Sequence, residues 1–498
     1  MTRVLLDGRT LSPAAVAAVA GGAEIGLTDE ARERMTRSAA AYPHEPSVLH
    51  TKRRFLVGEG HSGGEDLVRS FVLGHCAGVG ESLPVGSVRA LIVCRANVLA
   101  SGHSGVRPGL VDALARLLAE GVIPVVPSQG SVGAAGDLAP LAHVARVLFG
   151  FGGDAVLSSG ARGASPLPAY VPTAKEALAM INGATLTSAL AALAVHRSHR
   201  VLDGALDACA LTLAVSHADR GLLSDNVLRA RGHSGGRVAA ERLRRRLGSP
   251  GLGSHSPDAF SLRAAPAVLG TALDALAWVE STVTTELNGA CDNPLWFEDE
   301  GVVEGGNFHG APVALAMDTL RIALTQVATQ SERRTFRLTS ASLSRDLPSY
   351  LVAGTGLNSG FMLAQYTAAS LASECKGLSH PASVDSIPTV QHHEDHVSMG
   401  PIAARLTLRV LECVADIVGI EVLLAAQAMD WRLRGETVRE GEVVRGTPET
   451  FSPELMQLHA RVRGVVGFWH DDQVMHPALQ AVGRLVREGL GEEGGVRW

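Results

Sequence analysis

Three stretches of this chain hold side chains that could do chemistry. The first is Gln391-His392-His393-Glu394-Asp395-His396, where imidazoles that titrate near neutrality stand among carboxylates. His392 and His396 are four residues apart, as two helical metal ligands would be. A short motif without further ligands around it gives no metal expectation. The second is His50-Thr51-Lys52-Arg53-Arg54. It reads either as an exposed basic turn or as an anion-binding lid in which His50 can take or release a proton. The third runs from Ser128 to His143 and places Gly130, Gly133 and Gly136 between apolar segments. There the backbone can turn tightly and approach groups that a side chain would hold away. Read blandly, it is a loop entering a helix through Leu141, Val144 and Leu148, with Asp137 as the cap.

The body that must position these groups is large and globular. The chain has 498 residues, 46% hydrophobic and 19% charged, enough for roughly two to four domain-sized pieces. Its net charge of -6 comes from mixed acids and bases, so neither nucleic acid nor an anionic membrane is an expected partner. The dense basic run Glu241 to Leu247, followed by Gly248-Ser249-Pro250, reads as a solvated helix end whose cations suit the C-terminal dipole. Cys76, Cys94, Cys209, Cys291, Cys375 and Cys413 lie in apolar surroundings without CxxC spacing, as buried free thiols of a reducing compartment do. No signal-peptide core or membrane-length apolar run is present, so a cytoplasmic location is expected.

Among the elements, Val4-Leu5-Leu6 predicts a strand turning at Asp7-Gly8, with Ala-rich helices capped by Ser12 and Thr28. Leu110, Leu114, Leu117 and Leu118 give a later helix its buried stripe. From Ile402 to Met429 the chain is apolar except for Arg405, Arg409, Glu412 and Asp416 at helical spacing. Such a narrow polar stripe marks a helix buried in a bundle or a subunit interface. The Gly491 to Gly495 end reads as frayed.

Gly130-Ser131-Val132-Gly133-Ala134-Ala135-Gly136-Asp137-Leu138-Ala139-Pro140-Leu141 resembles the signature Gly-Ser-x-Gly-Ala-Ser-Gly-Asp-Leu-x-Pro-Leu of the histidine and phenylalanine ammonia-lyase family. Further stretches are similar to that family in the same order: the segment Leu67 to Gly78 with His75, Arg95 to Asn97, Lys175 to Thr185 with Asn182, Ser256 to Arg263, Thr285 to Pro294, Glu304 to Gly310, and Gln391 to Met399. The resemblance implies an all-α fold, with a smaller N-terminal region (1–200) carrying the signature loop and a long-helix bundle in 201–498. It implies a homotetramer whose sites mix three subunits and take a small-molecule substrate. It places His75 in the side-chain pocket, Asn182 and Arg263 on the substrate, Arg263 as its carboxylate clamp, and Asn307 and Phe308 beside the signature loop.

The departures fall on the family's chemistry. In the family, Ala-Ser-Gly cyclises and dehydrates to the electrophile methylidene-imidazolone (MIO), whose methylene comes from loss of the serine hydroxyl. The triplet here is Ala134-Ala135-Gly136, so no MIO and no other cofactor is expected. The inner-loop tyrosine has no counterpart in the 42–64 segment, Tyr42 standing too early. The assisting tyrosine is Phe260, the neighbouring glutamine is Pro257, and His392 and His393 replace an Asn-Gln pair. The expectation is a divergent, MIO-independent lyase-like enzyme acting on a carboxylate-bearing, amino-acid-derived substrate by elimination, addition or cyclisation. His393 and Glu394 would be its acid-base pair, with His50 also catalytic and Arg53 and His392 binding substrate. Two other readings stay open: a serine-to-alanine variant of an ammonia-lyase that traps substrate, and a non-catalytic ligand-binding relative.

Overall fold

The computed structural model describes residues 3–42, 64–248, 258–439 and 442–491. Helices dominate: α1 (Pro13–Ala20), α2 (Asp29–Ala41), α3 (Gly64–Gly74), α4 (Val85–Ala100), α5 (Pro108–Ala119), α6 (Leu138–Leu148), α7 (Ala174–Ile181), α8 (Thr185–Val215), α9 (Asp225–Arg231), α10 (Ser234–Leu247), α11 (Phe260–Arg263), α12 (Ala265–Leu287), α13 (Ala311–Thr339), α14 (Met362–Leu378), α15 (Gly400–Arg434), α16 (Pro453–Arg463) and α17 (His476–Glu488). The strands among the described residues form small two- and three-stranded sheets. Among the described residues no helix is long and apolar enough to cross a membrane.

Backbone contacts divide the chain into two compact units. The first comprises Met1–His196, Val279–Asp318 and Pro381–Arg405; the second comprises Arg197–Trp278, Thr319–His380 and Leu406–Trp498. The first break lies near the expected division at residue 200. Two later segments rejoin the first unit, which is therefore not a continuous N-terminal region.

In the first unit, β1 (Arg3–Leu6) pairs in parallel with β2 (Glu24–Leu27). The hydroxyls of Ser12 and Thr28 accept the Ala15 and Ala31 N–H groups at 3.2 Å, capping α1 and α2 as expected. Helix α4 is buried nearly all round, so its polar residues must find partners inside. Arg89 does so by donating to the carbonyls of Val19, Leu118 and Ala23 at 2.7, 3.1 and 2.9 Å. Leu110, Leu114, Leu117 and Leu118 of α5 are buried together with Val111.

In the second unit the polar stripe of α15 becomes a set of ion pairs. Arg487 of α17 holds Glu412 and Asp416 at 2.6 Å each, and Arg409 holds Glu374 of α14 at 2.8 Å. Deeper in, Arg334 of α13 grips Glu421 of α15 through Nε and Nη2 at 2.6 and 2.8 Å, with both side chains fully buried. Thr212 of α8 and Ser331 donate to the same carboxylate at 2.8 and 2.6 Å, so each of its oxygens has two donors. The basic run is less solvated than its composition suggests. Arg242 and Arg246 of α10 pair with Asp203 and Asp207 of α8, and Arg244 donates to the Leu223 carbonyl. Those cations serve packing against α8 more than they serve a dipole. All six cysteines are free, five of them buried.

Candidate active site

The signature stretch forms a cradle built on backbone contact. Gly136 (φ 88°) lies against Gly183 so closely that a Cβ on Gly136 would stand 2.1 Å from the Gly183 nitrogen. The Asp137 N–H donates to the Gly183 carbonyl at 2.8 Å, and the Gly183 N–H to that of Ala135 at 3.4 Å. Gly133 (φ 67°) turns its carbonyl to the Ser398 hydroxyl at 2.9 Å, and the Met399 N–H donates to Val132 at 2.9 Å. Both glycines occupy left-handed backbone that other residues adopt only under strain. Ala134 is buried and Ala135 half-buried, its side chain a methyl group.

Asp137 precedes α6 but does not cap it. Its carboxylate instead accepts the Ser131 hydroxyl and the Thr187 N–H, each at 2.8 Å, so it serves the first turn of α8. Burial pushes this carboxyl up to about 6, against the pull of those hydrogen bonds. Burial, with some repulsion from Asp137, also raises nearby Glu286, although a hydrogen bond with the Cys291 thiol opposes it.

Below Gly183 lies a charge cluster that motif reading passed over. Arg95 and Lys175 both approach Asp292 at 3.5 Å, all three being buried. Arg95 also donates to the carbonyls of Cys291 and Ala179, and Lys175 to that of Pro294 at 2.9 Å. Lys175 and Arg95 were visible only as unremarked letters within motifs; nothing in their spacing joins them to Asp292. Asn182 follows α7, and its Nδ2 donates to the Asn293 carbonyl at 2.7 Å. Its Oδ1 is buried and has no hydrogen-bond partner among the described residues, an uncommon and unfavourable state that a ligand N–H would relieve. Tyr42 is buried under Lys175, whose Nζ lies 5.4 Å from its ring centroid. Burial raises its phenol well above the ordinary value, with Asp292 and Glu304 adding to the shift, so it stays protonated.

His75 lies just beyond α3, its Nδ1–H donating to the Phe71 carbonyl at 2.6 Å and its ring tilted by 55° against that of Phe71, with centroids 4.6 Å apart. Because a carbonyl oxygen only accepts, that bond places a proton on Nδ1. Asn307 is exposed, 3.5 Å from the Ala290 carbonyl, and Phe308 is half-buried. Gly310, two residues on, donates to the Gly133 carbonyl at 3.4 Å. His309 Nε2–H donates to the His396 carbonyl at 3.2 Å, and the two rings stack with centroids 5.4 Å apart.

Val390, Gln391 and His392 have φ values of 47, 53 and 67°. This left-handed run breaks any helix across the segment, so the four-residue spacing of His392 and His396 does not put their rings on one helical face. His392 and His393 are exposed. Glu394 is half-buried and oriented by the Thr389 hydroxyl, which donates to its Oε2 at 2.6 Å. His50, Lys52, Arg53, Arg54 and Pro257 lie outside the described residues.

Phe260 and Arg263 belong to the second unit, in α11. Phe260 is 78% exposed. Both line a cleft of about 520 Å³. Arg334, already bound to Glu421, donates to the Ser261 carbonyl at 3.4 Å and so ties this short helix to the buried ion pair.

The expected site residues thus fall into two groups, one in each unit. Ala134, Ala135, Gly136, Asn182, Asn307, Phe308 and the 389–396 loop are in the first, and Phe260 and Arg263 in the second.

The aromatic amino acid lyase family profile matches residues 60–463. Histidine ammonia-lyase of Anaeromyxobacter sp. (strain K) is 41% identical over 528 aligned positions, covering 98% of this chain and 99% of its own length. Among solved structures, histidine ammonia-lyase from Trypanosoma cruzi is similar with a TM-score of 0.86 at 36% identity, covering 98% of this chain and 94% of that one. Tyrosine aminomutase from Streptomyces globisporus gives a TM-score of 0.85 at 32% identity, with 98% and 97% covered. With a match that spans most of the chain and relatives this similar, the chain belongs to the aromatic amino acid lyase family.

Proposed function

We propose that this family member works without MIO on a carboxylate-bearing, amino-acid-derived small molecule, with protein side chains making its proton transfers. The observation that carries the reading is Ala135 at the centre of an otherwise complete cradle. Ring closure between Gly136 nitrogen and Ala134 carbonyl carbon would release one water. The exocyclic methylene needs a second, taken from a β-hydroxyl that an alanine methyl does not have. The residues present therefore do not fit the group.

Several features support retained binding of an amino acid or its derivative. Arg263 offers a planar fork suited to a carboxylate. The orphaned Asn182 Oδ1 is an acceptor waiting for an N–H, as an amine would supply. Glu394, steadied by Thr389, stands next to His393, and this is the acid-base pair of the proposal. Proton transfer of this kind serves elimination, the reverse addition and cyclisation alike.

The site assembles between copies in this reading, a homotetramer in which another copy brings Phe260 and Arg263 to the first unit's cradle. Leu315, Ile322 and Phe336 of α13 and Leu363 and Tyr366 of α14 are 40–62% exposed, apolar surface that partner subunits would cover. A cytoplasmic location accords with free, buried cysteines.

The intact cradle and the 41% identity to a histidine ammonia-lyase favour one rival, a lyase that has lost only its serine. Ala135→Ser separates the two. Under the proposal the variant gains no histidine deamination, because Phe260 and the inner loop are also altered. His393→Ala or Glu394→Gln then abolishes turnover of the true substrate. A two-water mass loss at residues 134–136 together with new deamination establishes the rival, and ligand binding without any turnover establishes a non-catalytic relative.

A further inference from the structure

The cleft around Arg263 offers more than a single carboxylate can use. Its volume of about 520 Å³ lies within the range of roughly 300–1,000 Å³ usual for small-molecule sites. Its frame is set where α10 crosses α12 backbone to backbone. A Cβ on Gly235 would stand 2.0 Å from the Gly270 oxygen, and one on Gly270 2.2 Å from the Gly236 nitrogen. Asp274 of α12 fixes the start of α10, accepting the Ser234 hydroxyl and the Gly235 N–H at 2.8 Å each.

Leu222, Val227, Leu228, Phe260 and Pro266 give the cleft an apolar lining. Three nitrogen-bearing side chains also line it: Arg231 and His233 at the junction of α9 and α10, and Arg263 at the end of α11. None of the three has a hydrogen-bond or ion-pair partner among the described residues. The two carboxylates that line the cleft are already engaged. Asp258 accepts from Arg345 at 2.9 Å and from the Asp219 N–H at 2.7 Å, while Asp219 Oδ1 accepts the Gly221 N–H at 2.8 Å. The first turn of α10 adds its helix-dipole potential beside His233.

We propose that Arg231 and His233 hold a second acidic group of the ligand whose carboxylate Arg263 takes, so that the cleft selects an apolar-bodied diacid. The inference rests on the assignment of Arg263 to a carboxylate and adds the far end of the ligand to it. An aliphatic or aromatic spacer lies on Phe260 and the leucines, and each acid meets a donor that no protein carboxylate occupies.

Calorimetric titration of the full-length protein with 3-phenylpropanoate and with benzene-1,4-dipropanoate tests it. The diacid is expected to bind ~10-fold or more tightly than the monoacid, as a charge-assisted contact implies. Arg231→Gln erases that preference and leaves the monoacid affinity within about twofold, whereas Arg231→Lys keeps part of the preference. Equal affinity for the two acids in the unmodified protein overturns the proposal without need of any variant. So does a preference that survives Arg231→Gln. Failure of the underlying reading looks different: Arg263→Gln then leaves monoacid binding unchanged.

Discussion

Replacing Gly136 by alanine tests whether the cradle depends on backbone contact. Two effects add at this position. Left-handed backbone costs a residue with a Cβ about 1–2 kcal/mol. The new methyl would also stand 2.1 Å from the Gly183 nitrogen, so the two segments must part. Parting them breaks the 2.8 Å bond from the Asp137 N–H to the Gly183 carbonyl, a loss of about 1 kcal/mol. It also draws Thr187 from the Asp137 carboxylate, where a hydrogen bond to a charged group is worth about 1.5–3 kcal/mol. The total comes to about 4 kcal/mol or more. Gly160 is the matched control, because its φ of 82° is similar and a Cβ there meets nothing within 4 Å. Gly160→Ala should cost only the backbone part, about 1–2 kcal/mol. Urea unfolding of both variants at one protein concentration reads the difference. If Gly136→Ala falls within about 1 kcal/mol of Gly160→Ala, measurement error at most, the backbone contact does not hold the cradle and the reasoning fails.

Asp137 makes a pH prediction of definite sign. Its carboxyl stands at about 6 in the fold against an ordinary 3.8, so ionisation weakens the folded state. The penalty is absent below about pH 4 and complete above about pH 6, and amounts to ~3 kcal/mol. Thermal unfolding of the unmodified protein against Asp137→Asn should therefore show the former losing ground as pH rises from 4 to 7; a constant difference refutes the raised value. Arg334→Met strands Glu421 in the core and should cost about 3–5 kcal/mol. Adding Glu421→Leu should recover most of that loss in denaturant titration, and no recovery would mean that Glu421 is not the cause.

The helical character, the caps at Ser12 and Thr28 and the stripe of α5 were legible because they depend on local periodicity and on groups three residues apart. Asp137 was misread for the same reason. A carboxylate before a helix suggests a cap, and only the fold reveals Thr187 as a nearer claimant. The basic run of α10 was likewise read by composition, while the aspartates it pairs with lie 39 residues away on α8. The candidate site was legible as motifs and not as geometry. Sequence order gave no warning that Val279–Asp318 and Pro381–Arg405 return to the unit that holds Asn182, or that Val390 to His392 would leave helical backbone.

The grip of Ser398 on Gly133 spans 265 residues of chain. A nascent chain leaving the ribosome carries its signature loop long before the segment that clamps it exists. Domains commonly fold as units during synthesis, but here the first unit cannot be finished until residues 381–405 have emerged. Fragments truncated before that point should leave the loop unclamped, whatever is present upstream.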